Sequence, residues 1–135
     1  MTKCFVDTVC WIALLNQDDQ IHEDVKREYE FYMKSGHRFV TTTTVLNETA
    51  NALSGPNFRM AVVDFYKRLQ MSTRVKIVFV NKRLWSSSWL LYEQRSDKAW
   101  SLADCISMVV MQERGLQEVL TTDKHFRQAG FQILL

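Results

Sequence analysis

Lys3 to Leu15, KCFVDTVCWIALL, is the stretch whose reading decides the fold class. Residues 3–7 are a short apolar run with aromatic and β-branched members, which suits a buried strand. Beyond Thr8, the spacing of Val9, Trp11, Ile12 and Leu15 suits a helix. Strand passes directly into helix, and the alternation recurs along the chain. Val25, Tyr29, Tyr32 and Met33 make the stripe of a second helix that stops before Ser35-Gly36. Arg38 to Thr42 (RFVTT) reads as a second strand, and Leu46, Ala50 and Leu53 as one face of a helix ending at Ser54-Gly55-Pro56. Phe58, Val62, Phe65 and Leu69 carry the next helix, Val75 to Val80 (VKIVFV) the third strand, and Leu84, Ser88, Leu91 and Tyr92 a further helix. Ser101 opens a helix that runs to about Arg114 and closes at Gly115. Glu118 to Thr122 (EVLTT) then reads as the fourth strand, Lys124 to Ala129 as a short helix, and Phe131 to Leu135 as an edge strand.

Strands alternating with helices predict an α/β fold: one domain, residues 1–135, with a mainly parallel central sheet of about five strands flanked by helices. A chain of 135 residues is enough for one core. With 47% apolar and 24% charged residues it has the balance of a globular protein, which excludes disordered and fibrous classes. Three cysteines, Cys4, Cys10 and Cys105, are an odd number at spacings that fit neither a disulfide framework nor a CxxC ligand set, so reduced thiols in a cytoplasmic protein are expected. No apolar run approaches the ~20 residues of a membrane helix, and Asp7 interrupts the place where a secretory signal core would begin.

Net charge is +2, but its distribution is uneven. Between Asn57 and Arg83, seven basic residues (Arg59, Lys67, Arg68, Arg74, Lys76, Lys82, Arg83) face one acid, Asp64, whereas Met1 to Glu30 carries seven acids against Lys3, Lys26 and Arg27. The basic segment is either a flank that meets a polyanion or a solvated helix face.

Ligands of open parallel sheets bind outside the carboxyl ends of the strands, where loops and helix N-termini converge. Four acids map there. Asp7 ends the first strand, Asp123 ends the fourth, Asp104 lies in the first turn of the helix after Ser101, and Glu48 lies about a turn into the helix after the second strand. Three have a plainer role open to them: Ser101-x-x-Asp104 is a capping-box pattern, Asp7 suits a turn, and Thr122-Asp123 suits a helix cap, whereas Glu48, near Leu46 and Ala50 on a helix with a largely apolar surround, is the hardest to dismiss. Two carboxylates 4 Å apart repel by about 4 kcal/mol at an effective dielectric of 20, so four in one place require a cation. Hard oxygen ligands favour Mg²⁺ or Mn²⁺, the equipment of phosphodiester hydrolysis. Zinc is disfavoured, because His22, His37 and His125 are scattered.

FVDTVCWIALL near the N-terminus, TTTTVLNETANAL in the middle and KAWSLADCISMVVMQERGLQEVLTTDKHFRQAGFQIL toward the C-terminus resemble a PIN domain, and more narrowly the VapC-type toxins of toxin–antitoxin pairs. Residue by residue, the resemblance makes Asp7 and Asp104 the principal metal ligands, with Glu48 completing the first site and Asp123 acting through water or a second metal. Thr8, Ser101 and Thr122 then orient those carboxylates or a phosphate. Asp97 is a candidate for a supporting position, and His125 for fixing the loop before Phe126. Ala103 stands where many relatives carry Thr or Ser. The resemblance further implies endoribonuclease activity leaving a 5′-phosphate, homodimerisation and inhibition by a cognate antitoxin. A PIN-like module that binds RNA or protein without cutting is the alternative. A response-regulator receiver lacks support, since Asp7 is followed by Thr8 rather than a second acid. A structure-specific DNA nuclease would need clamping elements for which 135 residues leave no room.

Overall fold

Parallel strands cannot be joined by tight turns; each return needs a crossover, usually a helix. The chain supplies one every time. Its order is β1 (Lys3–Val6), α1 (Thr8–Leu15), α2 (His22–Lys34), β2 (Arg38–Thr42), α3 (Thr43–Ala52), α4 (Pro56–Met71), β3 (Val75–Val78), α5 (Lys82–Gln94), α6 (Leu102–Glu113), β4 (Glu118–Leu120), α7 (Lys124–Gln128) and β5 (Gln132–Ile133). In the computed structural model, which describes residues 2–135, the five strands form one sheet in the order β3-β2-β1-β4-β5. All four neighbouring pairs are parallel, the final edge strand included. The α/β architecture expected from the sequence is therefore the one observed.

β1, β3, β4 and β5 are shorter than their apolar runs. β1 stops at Val6 because Asp7 has already become the N-cap of α1, and β4 stops at Leu120, ahead of the turn from Thr121 to Asp123, the N-cap of α7. Likewise β3 stops at Val78 and β5 spans only two residues. The sequence reverses direction across the sheet between β1 and β4, the switch point at which a crevice opens. The Asp7 backbone N–H donates to the Leu120 carbonyl at 3.2 Å, which ties the two strand ends together there.

Burial on both faces of the sheet explains the continuous apolar strands: Cys4, Phe5, Val6, Phe39, Val40, Val119 and Leu120 are all buried. On one side Trp11 packs against Phe65 and Tyr29, with ring centroids 5.0 and 5.7 Å away, and Tyr29 stacks on Phe39. The buried indole N–H donates to Thr41 Oγ1 at 3.1 Å, and Thr41 in turn donates to the Val6 carbonyl. α6 is buried at every position from Cys105 to Met111, so no amphipathic stripe was available to read in it. It ends at Gly115, whose φ of 66° is the left-handed conformation that side chains disfavour. All three cysteines are free and buried, and burial pushes the Cys4 thiol up to about 12, so it stays protonated. No helix among the described residues is long and apolar enough to cross a membrane.

Candidate active site

Asp7, Asp104 and Asp123 converge at the carboxyl end of β1 and β4. Asp7 sits at the N-cap of α1, yet its carboxylate makes no cap hydrogen bond. Instead Oδ2 accepts from Thr121 Oγ1 at 2.8 Å. Thr121 is fully buried and also accepts from the Asp123 backbone N–H at 3.1 Å, so one hydroxyl fixes two of the acids. The sequence reading assigns such a supporting part to Thr122, which is exposed; here it is Thr121 that bonds both acids. Thr121, the first residue past β4, is buried and Thr122 is exposed, and the Thr121-to-Asp123 spacing is that of a turn closed by a threonine hydroxyl two residues upstream.

Asp104 occupies the third position of α6. Ser101 Oγ accepts from the Asp104 backbone N–H at 3.0 Å and Asp104 Oδ2 accepts from the Ser101 backbone N–H at 3.1 Å. The capping box is therefore real, and Ser101 supports Asp104 through it. Asp123 is likewise a true cap, with Oδ1 accepting from the His125 backbone N–H at 2.9 Å. Capping and clustering turn out to be compatible: Asp104 Oδ2 and Asp123 Oδ1, the oxygens that accept the capping bonds, are also the ones that face His125 Nδ1.

Burial is the main influence on Asp7: it pushes the carboxyl up to about 6, against the Thr121 and Thr8 hydrogen bonds, with the charges of Asp104 and Asp123 adding to the rise. Burial also raises Asp104, with the Asp123 charge contributing and the Ser101 hydrogen bonds opposing. The three acids thus share one electrostatic neighbourhood.

His125 does more than the sequence suggested. Its backbone anchors the loop before Phe126, as expected, but its ring turns into the cluster: Nδ1 lies 3.0 Å from Asp123 Oδ1 and 3.3 Å from Asp104 Oδ2. Neither contact has the angle of a hydrogen bond, and the nitrogen is buried without a partner. One donor atom from each of Asp104, Asp123 and His125 lies within 4.8 Å of the others. Ligands at about 2.1 Å from an octahedral ion stand about 3.0 Å apart along its edges, so these separations suit a small divalent cation. Asp7 lies outside that tight group but within reach of its charge.

Glu48 does not join it either. Contrary to the apolar surround expected from Leu46 and Ala50, Glu48 is exposed, and its Oε1 accepts from Thr8 Oγ1 at 3.0 Å. Thr8, next in sequence to Asp7, holds this fourth acid at the rim. Asp97 stands apart altogether, paired with Arg95 at 3.0 Å on the surface. The basic segment is divided in the same way. Arg59 caps the Ser54 carbonyl, Arg74 binds the carbonyls of Met33 and His37, Arg83 pairs with Glu113, and the others scatter over α4, α5 and β3.

The sequence model of the PIN domain matches residues 4–132. The 23S rRNA-specific endonuclease VapC20 of Mycobacterium tuberculosis, in strains CDC 1551 and H37Rv alike, is 30% identical over 131 residues, covering 94% of each chain. The crystal structure of M. tuberculosis VapC20, a Sarcin-Ricin loop cleaving toxin, superposes with a TM-score of 0.81 at 29% identity over 95% of both chains. VapBC2 from Rickettsia felis, solved bound to a DNA fragment from its promoter, shares the fold at a TM-score of 0.70 and 11% identity, covering 98% of this chain and 96% of that one. A match that runs through nearly every element of the sheet, together with a relative so similar from end to end, makes this chain a member of the PIN-domain family.

Proposed function

We propose that the chain is a divalent-metal-dependent endoribonuclease that hydrolyses RNA phosphodiester bonds as the toxin of a type II toxin–antitoxin pair. The observation that carries this reading is the convergence of Asp7, Asp104 and Asp123 at one end of the sheet, two of them raised in pKa, with a buried His125 nitrogen beside Asp104 and Asp123. Such a site is under repulsion until a cation enters. Asp7, Asp104 and Asp123 would hold Mg²⁺ or Mn²⁺, with His125 Nδ1 beside them and Glu48 reaching in from the rim. A divalent cation held by those residues would supply an activated water and charge neutralisation for phosphodiester hydrolysis. The chain's own part is positioning. Thr121 fixes Asp7 and the turn of Asp123, Ser101 fixes Asp104, and Thr8 restrains Glu48.

The similarity to VapC20 supports RNA as substrate. It also supports a cognate antitoxin and action in the cytoplasm, where three free cysteines would remain reduced. Exposed Met60, Val63 and Met71 on α4 and Trp85, Trp89 and Tyr92 on α5 offer apolar area for a homodimer or an antitoxin to cover.

Purified protein is expected to cut a bacterial RNA pool with Mg²⁺ or Mn²⁺ present, to stop on addition of EDTA and to resume when either ion is restored in excess. Uncut RNA under every ion condition, with binding intact, would favour the silent RNA-binding module instead. Thr121→Val tests the positioning role. Removing the hydroxyl frees Asp7 and the Asp123 turn, so Mn²⁺ affinity measured by calorimetry is expected to fall about 10- to 100-fold, the usual cost of losing such a supporting bond. Unchanged affinity in a folded variant would refute it.

A further inference from the structure

The end of the sheet away from the carboxylates carries a second feature of opposite sign. Lys3 opens β1, Arg38 opens β2, Lys76 is second in β3, and Arg114 caps the C-terminus of α6. Together with Arg74 they line a depression of about 240 Å³ that contains five cationic residues and no acid. Strand register places them there: Lys3 pairs with Arg38 and Val40 with Lys76, so all three cations project from the same face. Neighbouring strands lie only about 4.8 Å apart, and like charges set opposite one another on them are destabilising.

Some surface cations in this chain are neutralised, as in Arg27 with Asp24, Arg83 with Glu113 and Arg95 with Asp97. Among the described residues, Lys3, Lys76 and Arg114 form no ion pair. Glu118, which borders the adjoining depression, is turned to His37 at 3.4 Å. The dipole of α6 accounts for a cation at Arg114; it does not account for Lys3 and Lys76, which lie in strands.

We propose that this cationic depression binds backbone phosphates of RNA at a distance from the scissile bond, so that the enzyme favours extended or folded RNA over short fragments. The proposal rests on the ribonuclease reading for its ligand. Asp104 and Arg114 stand at opposite ends of α6, ten residues apart and therefore about 15 Å along the axis. At about 3.4 Å per stacked nucleotide, a strand needs at least about five nucleotides to span that interval. A tetranucleotide can occupy the carboxylate site alone, whereas a folded RNA of some thirty nucleotides reaches both ends.

The test is the triple variant Lys3→Glu, Lys76→Glu, Arg114→Glu in the full chain. Binding to a fluorescent 30-nucleotide hairpin is measured in EDTA across a salt series, and cleavage of that hairpin and of a tetranucleotide is measured with Mn²⁺. Expected are hairpin binding weakened about tenfold or more at low salt and a salt slope shallower by about 2, three lost contacts at about 0.7 each. Tetranucleotide cleavage should stay at the wild-type rate. Wild-type hairpin affinity and slope would overturn the proposal, as would an equal loss on both substrates. Loss of binding to polyglutamate with hairpin binding intact would assign the depression to an acidic protein instead. Should the triple reversal fail to fold, Lys3→Gln with Lys76→Gln gives the same reading with a slope change of about 1.4. Because the binding arm is run without metal, absence of any RNA cleavage would count against the catalytic reading and leave this one standing or falling on affinity.

Discussion

Asp104→Asn is expected to reduce metal-dependent RNA cleavage by at least about 10³-fold, which corresponds to about 4 kcal/mol of barrier, while leaving the fold intact. The substitution is nearly isosteric, and the asparagine carbonyl oxygen can still accept from the Ser101 backbone N–H, the bond that Asp104 Oδ2 makes. Ser101 Oγ still accepts from the residue 104 backbone N–H. The capping box therefore survives, and what is removed is one negative charge facing Asp123 and His125. Stability should not fall, since burial holds the Asp104 carboxyl above its ordinary range and the neutral side chain escapes that cost. Equal cleavage by wild type and variant would remove Asp104 from the reaction and with it the three-acid site. A variant that loses activity only by melting would show the capping role to be the important one; a circular-dichroism melt beside the cleavage assay separates the two.

Much of this could be read from the sequence, and the reasons for the misses are physical. β2 appears with the bounds that its apolar run implies, because nothing competes with the ladder between Arg38 and Thr42. β1 and β4 are overrun by a residue or two because Asp7 and Asp123 belong to the helices that follow, and a cap is indistinguishable from a strand end until its φ and ψ are known. Thr121 and Thr122 are identical in type and adjacent; only the burial of the first and the exposure of the second distinguish them. Glu48 illustrates a different difficulty. Leu46 and Ala50 suggest an apolar face, yet α3 presents Glu48 to solvent and leaves it to Thr8, a residue 40 positions away. Arg59, Arg74 and Arg83 look like a polyanion-binding run, but each answers to a local carbonyl or carboxylate. The cationic face that does form draws Lys3, Arg38, Lys76 and Arg114 from four separate elements, an assembly set by strand register and therefore invisible in a linear count. His125 was hidden for the same reason: the scattered histidines argued against a zinc site, and only the turn after Asp123 swings that ring back over Asp104.

Asp7→Asn is expected to stabilise the metal-free protein at pH 8 by up to about 3 kcal/mol, the equivalent of moving a carboxyl from its ordinary 3.8 to about 6. The sign follows from proton binding. Between pH 4 and 6 the folded protein holds a proton on Asp7 that the unfolded chain has released, so stability declines as pH rises through that window and stays low above it. Below pH 4 both states are protonated and the handicap vanishes. Asparagine keeps an acceptor for Thr121 Oγ1 and carries no charge to bury, so the variant should be nearly flat across the same range for this group. For a chain of 135 residues, about 3 kcal/mol amounts to about 10 °C in Tm. Metal should reverse the ranking: at a hundred times its Kd a bound ion adds about 2.7 kcal/mol to wild type, and the variant, lacking a ligand, should gain far less. Melts in EDTA at pH 4 and pH 8, repeated at pH 8 with Mn²⁺, would therefore show the variant ahead only without metal and only at the higher pH. A variant that melts below wild type in EDTA at pH 8 would mean that the Asp7 charge is already compensated in the free protein, leaving the site no built-in demand for a cation.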